Sequence, residues 1–263
     1  MCVLCVAALA LLGAGFGVGR YTRFLKPVVS AVFQEPLMEQ AVRARLGKQE
    51  GETLTEEELL TVRALYIFGT EVSDTEDAFL EGMNGWTLPR GSLTSLEDVV
   101  MMPNLEVLYV NYQPLSDITP VRTLQKLRHI NLRHTYVSDL SPLAGLPMLD
   151  SLQLFDTNVS DLSPLVACPQ VSDLDIGFTP LRSIRDIPDL KGLTRLSLRG
   201  RTLADLDGIE RFVRLEWLCL SGTEVQDLTP LLSLPNLKEV DINEPMYAAG
   251  DALGETPFTV KHE

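Results

Sequence analysis

The chain has 263 residues, 45 % hydrophobic and 22 % charged, a globular balance with material for one sizeable domain or two small ones. It carries 22 basic and 36 acidic residues, a net charge of −14; Arg20, Arg23 and Lys26 precede every acid, so residues 28–263 stand at −17. That charge excludes a nucleic-acid partner, which needs a basic patch to displace counterions. Four cysteines, two of them at positions 2 and 5, exclude a disulfide-stapled secreted domain.

Residues 1–19 contain no charge and are mostly Val, Leu, Ala, Gly, Phe and Cys, before Arg20, Tyr21, Arg23 and Lys26. About 18–20 apolar residues suffice to cross a bilayer. Residues 1–27 therefore read as a transmembrane anchor or an uncleaved signal segment, meeting the membrane through residues 1–24. The run GAGFGVG is no dinucleotide loop, because Val18 stands where a third glycine belongs. Basic residues follow the apolar run rather than precede it, which leaves the side of the membrane open.

Residues 28–61 carry helical signals. Glu35-Pro36 opens an amphipathic stretch with Leu37, Met38, Ala41 and Val42 on one side, ending near Gly47. Thr55 and Glu58 have capping-box spacing ahead of Leu59 and Leu60.

From Val62 onward a repeat governs the chain. Leu105, Leu127, Leu149, Val171, Leu193, Leu215 and Leu237 follow one another at intervals of 22, each opening an LxxLxL-like segment such as LRHINLRHT or LDSLQLFDT. The second halves repeat too, as VSDLSPL twice and VQDLTPL. An earlier copy starts at Val62 and is split by an insertion over residues 75–92. One unit cannot bury its leucines alone, so neighbours must stack. Eight parallel strands, near 64–67, 107–110, 129–132, 151–154, 173–176, 195–198, 217–220 and 239–242, would span roughly 34 Å. Asp at position 13 of five units (Asp117, Asp139, Asp161, Asp205, Asp227) can cap the following turn, and a proline two or three residues on, where present, keeps that turn short.

This pattern resembles bacterial leucine-rich repeats of the internalin-like, 22-residue type. The resemblance implies an α/β solenoid: a horseshoe with a parallel concave sheet and short 3-10 turns on the convex side. Residues 28–61 then form a helical N-terminal cap, 62–242 the repeat domain and 243–263 a thin C-terminal tail or cap. Position 9 is mostly Thr (Thr70, Thr135, Thr157, Thr179, Thr223) where Asn is commoner, which implies a buried hydroxyl ladder. The sixth unit departs further, with Arg201 and Asp207-Gly208.

Positions 3, 5, 7 and 8 of each unit face out of the concave sheet. His129, Ser151 and Asp173 align there, but a hydrolytic triad needs His between Ser and Asp, and Ser151 is the central member. His129 and His134 are roughly 16 Å apart on an extended strand, and His134 with Asp156 gives only two ligands. No catalytic residue, metal or cofactor is assigned. Cys168 occupies a core position, whereas Cys219 faces the concave surface. What remains is a recognition surface of Tyr66, Phe68, Tyr109, Tyr112, Phe155, Phe178 and Trp217, interleaved with His129, Arg133, His134, Asp156, Arg195 and Arg199. Aromatics and Arg dominate protein hot spots. The expectation is a non-enzymatic, membrane-tethered or exported envelope protein that holds a protein or peptide on the N-terminal and central concave face. The alternative is a structural scaffold of the envelope with no concave-face ligand.

Overall fold

The computed structural model describes residues 30–83, 89–200 and 203–262. The apolar N-terminal segment, Arg201 and the middle of the insertion lie outside these residues. Among the described residues no helix is long and apolar enough to cross a membrane.

Two helices open the fold. Helix α1 (Pro36–Leu46) starts at a proline, ends at the left-handed Gly47 (φ 65°), and buries Leu37, Met38, Ala41 and Val42. Helix α2 (Glu56–Leu59) has the complete capping box: the Thr55 side chain accepts from the Glu58 amide, and the Glu58 carboxylate accepts from the Thr55 amide. Two buried carboxylates tie this cap to the first convex turn. Glu35 accepts from the Thr94 amide and hydroxyl and the Ser95 amide, each at 2.9 Å. Asp98 accepts in return from the amides of Gln34 and Glu35. Buried charge so saturated with donors is tolerable.

Ten strands follow: β1 (Ala64–Phe68), β2 (Glu71–Ser73), β3 (Val107–Asn111), β4 (His129–Asn131), β5 (Ser151–Gln153), β6 (Asp173–Asp175), β7 (Arg195–Ser197), β8 (Trp217–Cys219), β9 (Glu239–Ile242) and β10 (Thr259–His262). They form one sheet in the order β10-β9-β8-β7-β6-β5-β4-β3-β1-β2, parallel throughout except for β1 against β2. The register follows the repeat. Leu65 stands beside Leu108, then Ile130, Leu152, Leu174, Leu196, Leu218 and Val240, and the whole row is buried. A one-residue slip would turn this row outward, so the apolar pattern pins the register.

On the convex side each unit turns through a short 3-10 segment. The carboxylates of Asp117, Asp139, Asp161 and Asp227 accept from the amides of Thr119, Ser141, Ser163 and Thr229, two residues on, at 2.8–2.9 Å. Hydrogen bonds from those same residues hold Asp117, Asp161 and Asp227 below the ordinary carboxylate range.

Two details correct the sequence reading, and a third adds to it. Gly69 (φ 55°) turns the chain back into β2, so Thr70 sits exposed in a hairpin and joins no buried column. Thr135, Thr157 and Thr179 are buried, but their hydroxyls donate to Leu132, Leu154 and Ile176, three residues back in their own units. The column is therefore not a hydrogen-bonded ladder from unit to unit; Gln113, at the same position, makes the bridge instead, donating to the Gly69 carbonyl and accepting from the Leu93 amide. At the rear, residues 243–262 are more than a tail. Helix α4 (Tyr247–Ala252) leads into β10, which adds a parallel strand to β9, and Met246 and Phe258 close the core.

Candidate binding face

The insertion reshapes the concave face. Its helix α3 (Glu76–Met83) lies across β1 and β2. Phe79, 1 % exposed, sets its ring 5.9 Å from Tyr66, 6.0 Å from Phe68 and 5.3 Å from Tyr109, centre to centre. The Tyr109 hydroxyl donates to Glu76 at 2.8 Å. Burial first, then this carboxylate, pushes the Tyr109 phenol well above its ordinary value. Tyr66 and Phe68 are 6 % and 7 % exposed. The expectation that both present themselves to a ligand is thus corrected: the helix covers them and closes the N-terminal end of the face. The signal was present in EDAFLEGM, whose Phe79 needs an apolar bed, but the repeat arithmetic gives an insertion no place.

The chain returns from the insertion under tight constraint. The Gly91 amide donates to the Tyr112 carbonyl at 2.8 Å, and a Cβ at Gly91 would overlap the Gly69 carbonyl and the Gln113 side chain. Arg90 donates to the carbonyls of Gln113 and His134 and lies 4.8 Å from the Tyr136 ring.

Beyond α3 runs an aromatic rail. Position 8 of four consecutive units holds Tyr112, His134, Asp156 and Phe178, all left-handed with φ of 56°, 58°, 54° and 53°. The units on either side use glycine there, Gly69 and Gly200. A side chain in this region costs about 1 kcal/mol or more. Four such costs in a row call for a compensating use. The rings follow one another at 5.0 Å (Phe68–Tyr112), 4.0 Å (Tyr112–His134), 5.3 Å (His134–Phe155) and 5.0 Å (Phe155–Phe178). Asp156 holds His134 at 2.8 Å, and Phe178 is 54 % exposed.

Beside the rail lies a depression of about 280 Å³. It brings together Tyr112, Arg133, His134, Phe155, Arg195, Arg199 and Trp217, with Phe68 at its edge. Gln153, Asp173, Asp175 and Ser197 also line it and were not among the sequence candidates; Gln153, Asp175 and Ser197 share position 5 of their units, so column arithmetic alone could have found them. Arg133 reaches Gln153 and Asp175, both at 2.7 Å. Arg195 stacks 4.2 Å from the Trp217 ring, and Trp217 donates to Asp241 at 3.1 Å. Desolvation raises Asp173, against the opposing pull of Arg195. Gly177 has ordinary φ; it is small because a Cβ would meet Phe155 at 2.8 Å and Arg199 at 3.0 Å. His129 is half-buried outside the depression, and Tyr109 lies beneath α3. Cys219 is fully buried, with its sulfur accepting from Arg199 Nε at 3.0 Å, which corrects its placement on the open surface.

The Ser151 hydroxyl donates to Asp173 at 3.3 Å. Among the described residues no group of three or more His, Cys, Asp or Glu side chains could hold a metal ion.

Stacked 22-residue units, a parallel concave sheet and capped convex turns define a leucine-rich repeat solenoid. No protein-family model matches the sequence, and no curated protein matches it. Among solved structures, the chain is similar to internalin C2 of Listeria monocytogenes, with 23 % identity, a TM-score of 0.67, and coverage of 88 % of this chain and 94 % of that one. Internalin F of Listeria monocytogenes is also similar, with 23 % identity, a TM-score of 0.63, and coverage of 88 % and 69 % respectively. The chain has the internalin-like leucine-rich repeat fold.

Proposed function

We propose that the chain is a non-enzymatic recognition module whose central concave face holds a segment of a partner protein or peptide. The observation that carries this reading is the row of four side chains kept in left-handed backbone at position 8, where glycine would be unstrained. Strain of this kind collects where a side chain is needed at a fixed place. The rail and the depression beside it combine aromatic and guanidinium groups, the chemistry of interface hot spots. The N-terminal wall formed by α3 confines the partner to the units from Tyr112 to Trp217. Residues 1–24 tether the module to a membrane or direct its export.

The test is partner capture with the full chain against Phe155→Ala and Phe178→Ala. A partner retained by the parent chain and lost by both variants supports the reading. Capture indifferent to both favours a scaffold that uses the repeat only as a spacer.

A further inference from the structure

We propose that the depression recognises an acidic side chain, Glu or Asp, presented by an extended segment of the partner; this rests on the concave-face reading above. Charge along the face is the first reason. The N-terminal wall carries Glu76, Asp77 and Glu81, and the C-terminal end carries Glu239, Asp241 and Glu244. Between them the depression is lined by Arg133, Arg195 and Arg199 against Asp173 and Asp175, a local excess of one positive charge in a chain of net −14. The depression itself is thus richer in basic than acidic side chains, with Asp156 on the rail beside it, and acids stand at both ends of the face, Glu239 among them paired with Lys261 at 2.8 Å.

Unused donors are the second reason. Arg133 bonds Gln153 and Asp175 through Nη2 alone, and its Nε–H is buried with no acceptor. A buried donor left without an acceptor is costly, which marks Arg133 as a strained partner of Gln153 and Asp175. Arg195 is 50 % exposed, and Asp173 stands 3.9 Å from its Nε, beyond hydrogen-bond distance. Among the described residues its guanidinium makes no hydrogen bond, and its Cζ lies over the Trp217 ring, 4.2 Å from the ring centre. A planar guanidinium with open donors, held over an aromatic ring, is a carboxylate receptor, because two parallel N–H groups match two carboxylate oxygens. Phe155 and Trp217 give the depression apolar walls, which lower the local dielectric and strengthen such a contact. The matching segment has one acid at its centre and basic residues on either side.

The probe is a pair of capped nonapeptides identical except for a central Glu or Gln, with Phe beside it and Lys near both ends. Binding to the full chain is read from Trp217 emission after Trp86→Phe removes the other of the two tryptophans. At low salt the Glu peptide binds about tenfold more tightly than the Gln peptide, and the gap narrows as salt rises. Arg195→Gln abolishes the gap. Arg195→Lys keeps the charge but loses the fork, and retains only part of it. A thermal melt checks that each variant folds. Equal affinity for the two peptides, or a silent Trp217 with both up to about 1 mM, overturns the proposal. Partner capture that needs Phe178 but survives Arg195→Gln removes this inference while leaving the binding face intact.

Discussion

Phe79→Ala tests how the insertion controls the face. Phe79 is the buried anchor of α3, with its ring against Tyr66, Phe68 and Tyr109, and the only other described tie between α3 and the β3 strand is the Tyr109–Glu76 hydrogen bond. Truncating a buried Phe costs about 3–5 kcal/mol. Helix α3 packs on β1 and β2 at one end of the sheet, and its aromatic bed forms a cluster separate from the leucine core. The loss therefore falls on docking of the helix and spares the solenoid. A loss of about 3 kcal/mol raises the undocked fraction roughly a hundredfold. Hydrogen exchange in α3 should accelerate by about that factor, because local opening governs it. The denaturant midpoint of the repeats should barely move. The reasoning is refuted if α3 amides stay protected, or if the whole repeat domain loses stability in step with the helix.

Further outcomes follow from the same contacts. Leu152→Ala should destabilise the solenoid by about 2–5 kcal/mol in denaturant unfolding, since Leu152 is fully buried in the continuous row. Tyr66, Tyr109 and Tyr112 are raised, chiefly by burial, so absorbance titration should show them ionising after ordinary tyrosines. Their folded state favours the neutral phenol, so this contribution to stability is present below pH 10 and is lost as pH rises above it. Glu58 is held down at about 2, first by Lys48 and then by the Thr55 amide. Its contribution is full above its ordinary value of 4.5 and fades as pH falls toward 2, so Glu58→Gln should remove an acid-dependent step in α2 amide exchange. Full-length chain should sediment with membranes, and removal of residues 1–27 should release it.

The repeat made the fold legible because one spacing sets both register and burial. Leu108, Ile130 and Leu152 are buried side by side for the same reason that they lie 22 residues apart. The convex turns were legible through Asp117, Asp139 and Asp161, whose carboxylates cap them locally. What breaks the period was not legible. Thr70 occupies position 9 by count, but the following hairpin takes it to the surface. Tyr66 and Phe68 occupy outward positions, but Phe79, a residue with no slot in the repeat, covers them. Column counting identified Tyr112, His134, Asp156 and Phe178 as neighbours; their shared left-handed backbone is a property of φ that residue spacing does not encode. Position 5 stands out less in the sequence because Gln153, Asp175 and Ser197 are small or polar, though all three line the depression with the arginines.

A photo-crosslinking amino acid placed in turn at Phe178 and at Val166 tests the central claim most directly. Both positions are exposed, at 54 % and 71 %, the first on the rail of the concave face and the second on a convex 3-10 turn. The account predicts a crosslinked partner band from position 178 and none from position 166. A band from position 166 with none from position 178 would contradict it.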